Sequence, residues 1–118
     1  LNGTGSTTVN SFYVSGSLSV GGTATRSYTG STIRFNGTLA QNISGTASEA
    51  FVNLAFFGGA DKNLQSNVTA SGSVTVDGSV SGGGITNGVY VQTGITLQVD
   101  GVLTNDGTLT NDGTITVN

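Results

Sequence analysis

The sequence predicts an all-β chain, a parallel β-helix (β-solenoid) of about 21 residues per coil, in a single domain spanning 1–118. Three observations predict it. The composition is 35% hydrophobic and only 8% charged, with 20 glycines and no proline, so folding must order uncharged polar residues. Ser, Thr and Asn make up much of the rest, and these turn or pair rather than wind into helices. The second observation is alternation of apolar and small polar residues, and the third is the spacing of the segments that alternate.

Taken in order, the strand phrases are TIRF at 32–35, FVNLAF at 51–56, SVTV at 73–76, ITLQV at 95–99 and TITV at 114–117. One inward candidate from each, Ile33, Leu54, Val74, Ile95 and Ile115, gives steps of 21, 20, 21 and 20 residues, with Phe12 a further 21 upstream. Ile43, Leu64 and Ile85 form a second series with steps of 21. A shared period means a coil that returns to the same place, and glycines between the phrases supply the changes of direction. The last 18 residues say one phrase three times, GVLTND, GTLTND and GTITVN, which predicts six-residue sides with an inward Leu or Ile at the third position.

The alternative architecture is an antiparallel β-sandwich or jelly roll completed by a donated strand. Asn36-Gly37, Asp77-Gly78, Asn87-Gly88, Asp100-Gly101, Asp106-Gly107 and Asp112-Gly113 are the dipeptides of tight hairpins, and they serve solenoid corners as well.

The segment from Phe35 to Val80, FNGTLAQNISGTASEAFVNLAFFGGADKNLQSNVTASGSVTVDGSV, resembles the repeats of large secreted surface and adhesin proteins of Bacteroidota. The likeness lies in FNG, Q-x-ISG, a Phe-x-x-Leu strand and L-x-S-N-V-T, in that order and spacing. It departs at Ala70, where the pattern has Val, and no C-terminal sorting domain is visible. The resemblance implies an extracellular structural repeat, a right-handed parallel β-helix, in a cell-surface or filament protein.

The missing residue types bear on chemistry. There is no His, Cys, Met or Trp, which removes the usual general base, the thiol nucleophile and the soft metal ligands. Asp77, Asp100, Asp106 and Asp112 would form an acidic row if they stacked, as in glycan-cleaving β-helices, but each precedes Gly, where turn chemistry explains it. GGADKN at 58–63 only half resembles a calcium loop. We therefore expect no enzyme, no catalytic residue, no metal and no cofactor.

A net charge of -3, with Arg26, Arg34 and Lys62 as the only basic residues, argues against nucleic acid as a partner. No run of 18 apolar residues and no signal-peptide pattern occurs, so no membrane insertion is expected. Zero Cys leaves backbone pairing as the source of durability in an extracellular or cell-surface protein. Tyr13, Tyr28 and Tyr90 are candidates for a platform that stacks surface glycans. Asn2, Asn36, Asn42 and Asn67 stand in glycosylation sequons, although about three would arise by chance among eleven Asn in so Ser/Thr-rich a chain.

The function these residues point to is mechanical. Both ends of the chain enter strand phrases with no polar cap, so the expected partner is another copy of the chain, joined head to tail into a filament by coil stacking or by strand donation. The candidate contacts are Val9, Phe12 and Val14 at the opening strand, Ile115 and Val117 at the closing one, and the adjacent pair Phe56 and Phe57, one of which should face outward. The alternatives are a stalk segment of a long single-chain adhesin and a carbohydrate-binding module.

Overall fold

The computed structural model of the chain describes residues 6–8, 12–21, 25–27, 32–45, 49–80 and 88–118. Among these there are strands and turns and no helix, and every strand pairing is parallel. The chain is a three-sided β-solenoid whose coils lie roughly 21 residues apart, with about four turns between its first and last complete stacks.

Side one stacks β2 (Phe12–Val14), β5 (Thr32–Phe35), β8 (Asn53–Phe56), β11 (Val74–Val76) and β14 (Leu103–Asn105). Side two stacks β3 (Leu18–Val20), β6 (Gln41–Gly45), β9 (Lys62–Leu64), β12 (Val89–Val91) and β15 (Leu109–Asn111). Side three carries β7 (Glu49–Phe51), β10 (Val68–Ala70), β13 (Thr96–Val99) and β16 (Thr114–Val117). It is preceded by the pair β1 (Ser6–Thr8) and β4 (Thr25–Ser27), with β4 against β7. The chain thus visits the three sides in unbroken rotation from β1 to β16.

Parallel pairing excludes the antiparallel sandwich. The Asp-Gly and Asn-Gly dipeptides turn corners between sides, and the reason for their glycines is close approach between coils. A Cβ on Gly107 would run into the carbonyl oxygen of Asp77 one coil away. Gly88 needs both freedoms: its φ is +86°, and a Cβ there would meet the Thr108 carbonyl.

The inward column on side one is Phe12, Ile33, Leu54 and Val74, as the period predicts, but its fifth member is Leu103 rather than Ile95. Ile115 pairs with Leu97 on side three, and Ile95 sits at the corner before β13. On side two the series Ile43 and Leu64 continues to Val91. Ile85, its expected third member, lies outside the described residues.

The cause is unequal coil length. The connection from Val76 to Val89 stretches the steps that cross it, to 29 residues for Val74 to Leu103 and 27 for Leu64 to Val91. The six-residue sides then shorten the last coil to 18, from Leu97 to Ile115. A long coil followed by a short one keeps the mean near 21 while moving residues between sides.

The core is a dry column of Ile33, Phe35, Ile43, Leu54, Phe56, Leu64, Val74, Val76, Leu97 and their neighbours, nearly all fully buried. Phe35 and Phe56 stack with ring centroids 5.8 Å apart.

Candidate assembly surface

Consecutive sides bring each strand of one coil directly over the same side of the previous coil, so inward residues are covered from above and below. The last coil is covered on one side only. Leu97 and Val99 of β13 are 0% exposed, while their register partners Ile115 and Val117 of β16 are half-buried and 51% exposed. Leu103 and Leu109 are likewise half-buried where Val74 and Val89 beneath them are fully buried. Together β14, β15 and β16 present an open triangular cross-section of the core.

Two residues in that cross-section break its apolar character. Asn105 and Asn111 occupy the register positions of the fully buried Val76 and Val91. Both are exposed, and Asn111 accepts the Gly113 N–H through Oδ1 at 3.1 Å. The signal was present in the sequence, because each stands two residues after an inward Leu.

Three exposed carboxylates ring the same coil, at three different corners. Asp106 follows side one, above Asp77, as shown by the ladder bonds from Asp77 N–H to the Phe56 carbonyl and from Asp106 N–H to the Val76 carbonyl. Asp112 follows side two and accepts the Tyr90 hydroxyl at 2.7 Å, which raises the pKa of that phenol. Asp100 follows side three and accepts Gln98 Nε2 at 2.8 Å and Asn118 Nδ2 at 2.7 Å; these bonds, led by Gln98, hold its carboxyl below the usual range. Asp77 is held low by Ser79, whose hydroxyl and N–H donate to it at 2.6 and 2.9 Å. The expected acidic row is therefore distributed, and only Asp77 and Asp106 share a corner.

At the opposite end Val14 is half-buried and Leu18 almost fully buried, so the first coil also carries apolar inward residues. Phe12 is placed by its backbone in β2, opposite Ile33. Val9 and Asn2 lie outside the described residues. Tyr13 faces outward at 65% exposure, with the Arg34 guanidinium 5.5 Å from its ring centroid.

The pair Phe56 and Phe57 is corrected in part. Phe56 is 0% exposed, clamped against Phe35 in the core, and offers no surface to a partner. Phe57 has left the strand and sits half-buried at the corner, its N–H donating to the Phe35 carbonyl at 2.8 Å. Opposite-facing neighbours are a property of continuing strands, and β8 stops at Phe56.

The aromatic platform does not assemble. Tyr13 stands on side one of the first coil, Tyr90 on side two of the fourth, and Tyr28 lies outside the described residues. Of the sequon asparagines, Asn36 is exposed at a corner. Asn67 is exposed, and its Oδ1 accepts the Thr96 N–H at 2.9 Å. Asn42 is half-buried in an outward ladder, where its Oδ1 accepts Asn63 Nδ2 at 2.9 Å.

Sequence reasoning passed over the polar interior of side two. Gln41 and Lys62 are register partners at inward positions, both almost fully buried. Gln41 Nε2 donates to the carbonyls of Val14 and Gly16, and its Oε1 accepts the Gly37 N–H at 2.7 Å. Lys62 Nζ donates to the Gly37 carbonyl at 2.9 Å. Burial pushes its ammonium below the ordinary value, with Asp61 opposing. Parity with Ile43 and Leu64 was the available signal, outweighed by the rule that Lys and Gln stay outside.

No protein-family model, curated protein or solved structure matches the chain.

Proposed function

We propose that the chain is an extracellular structural subunit that assembles head to tail into a surface filament or fibre. The observation that carries the proposal is the open last coil, in which half-buried Leu103, Leu109 and Ile115 and the exposed Val117 continue columns that are fully buried one coil below. A further coil placed there adds a ladder of backbone hydrogen bonds, worth about 0.5–1.5 kcal/mol net apiece, to the burial of those side chains. The likeness of Phe35–Val80 to bacterial surface-protein repeats supports a location outside the cell. In this reading no hydrolase or lyase activity resides in the chain, and its carboxylates serve corners.

The second reading is a stalk segment of a long adhesin, in which the covering coil belongs to the same polypeptide; the regular hexapeptide phrases suit that equally. Intact-mass measurement of native material separates the two: about 11.7 kDa is expected for the subunit, and a mass far above it favours the stalk. Electron microscopy of the purified chain should show filaments, and the variant Ile115→Lys should remain folded by circular dichroism without forming them. Filaments of unchanged length from that variant would place the junction elsewhere. Release of reducing sugar from an acidic polysaccharide, abolished by Asp100→Asn, would overturn the non-catalytic role.

A further inference from the structure

Residues of a solenoid climb its axis in chain order, so the number of strands sets the phase between its two ends. The described strands begin on side three with β1 and end on side three with β16. A copy set straight above, β2 over β14, would bring its β1 to the level that β16 already holds. Turning that copy by one side removes the collision and continues the coil, with β1 over β14, β2 over β15 and β3 over β16.

We propose that a second copy docks on the β14–β16 coil through its own β1–β3 coil, rotated by one third of a turn about the solenoid axis. This rests on the filament reading above and adds the partner strands and the twist.

Residue chemistry agrees with the rotated placement. Leu18 falls over Ile115, and β3, Leu-Ser-Val, falls in register over Ile115–Val117, the least polar part of the open coil. The Ser-Thr-Thr strand β1 falls over β14 and so comes to the position of Asn105, where the unrotated copy would bring Val14. Asn111 meets Val14 in this arrangement, which makes the junction weaker than an internal coil.

Charge complements shape. Arg26 and Arg34 lie in the second coil, whereas Asp100, Asp106 and Asp112 ring the last one, so a single subunit carries opposite charge at its two ends. The Arg34 guanidinium already lies over Tyr13 in the first coil. Rotation sets Tyr13 over Thr110, on the side that carries Tyr90 and Asp112. Opposed charges of this kind steer ends together and are screened by salt.

The chain has no cysteine, which leaves a clean background for cross-linking. Neighbouring coils place Cα atoms about 4.8 Å apart, within the disulfide range of roughly 4.4–6.8 Å. The double variant Ser19→Cys/Thr116→Cys pairs across the rotated junction, and Tyr13→Cys/Thr104→Cys pairs across an unrotated one. After mild oxidation we expect a ladder of dimers, trimers and longer species from the first pair on a non-reducing gel, and none from the second. Wild-type association, read by sedimentation, should weaken about tenfold between 50 and 500 mM NaCl. A ladder from the second pair alone, or filaments with no ladder from either, would overturn the rotation and leave the filament reading standing. Wild-type protein that stays monomeric at every salt concentration would overturn both.

Discussion

The middle coils, from β5 to β11, and the last coil, β14 to β16, are built on the same three-sided plan by opposite means. In the middle each coil is individual: Phe35 stacks on Phe56, Gln41 ties the corner below it through the Val14 and Gly16 carbonyls, and Lys62 reaches the Gly37 carbonyl. In the last coil the sides are near copies of one hexapeptide, with one aliphatic residue at each third position. The middle is specified by contacts that fit one place. The end is generic, and a generic coil is one that another coil can register upon.

Truncation of the middle should break the comparison most severely. Phe56→Ala removes a ring that is 0% exposed and stacked, and should cost about 3–5 kcal/mol in urea unfolding. A cost under about 1 kcal/mol would mean that the middle is as loosely specified as the end.

Next in size is a matched pair within side three. Leu97→Ala should cost about 2–5 kcal/mol, while Ile115→Ala, one coil above and half-buried, should cost about 1 kcal/mol in the monomer. Equal costs would show that something already covers the last coil.

The two regions were unequally legible in the sequence. Alternation gave the strands, and the period gave the solenoid, because both follow from inward residues that any coil must have. Column membership failed at Ile95 and Ile115, since a period carries no information about a long connection that a short coil offsets. The hexapeptides were read correctly as sides, with Leu103, Leu109 and Ile115 all on the core. Phe56 was misjudged because adjacency alone does not say where a strand stops. Lys62 was invisible as a core residue, since its burial depends on a carbonyl, that of Gly37, which only the coil geometry brings within reach.

Lys62 sharpens the contrast through pH. Its folded value lies below 10.5, so between those two values the unfolded chain holds more protons than the folded one. Stability should therefore rise with pH across that alkaline window, and Lys62→Met should flatten the rise. Thermal unfolding of both proteins through the window checks the sign; a wild-type curve parallel to that of Lys62→Met would place the ammonium in water.

The smallest expected effect is on the outward ladder. Asn63→Ala removes the bond to Asn42 at 2.9 Å and should cost about 0.5–1.5 kcal/mol. A larger loss would mean that outward ladders, and not the interior alone, specify the middle coils.

Helical reconstruction of filaments from electron micrographs tests the stacking of generic ends most directly. Sixteen strands on three sides make five and a third coils, so each subunit should advance about 26 Å at about 4.8 Å per coil and turn by about one third of a revolution relative to the solenoid sides. Strands perpendicular to the filament axis with that rise and turn are the expected result. Strands running along the axis, or subunits stacked with no rotation, would contradict it.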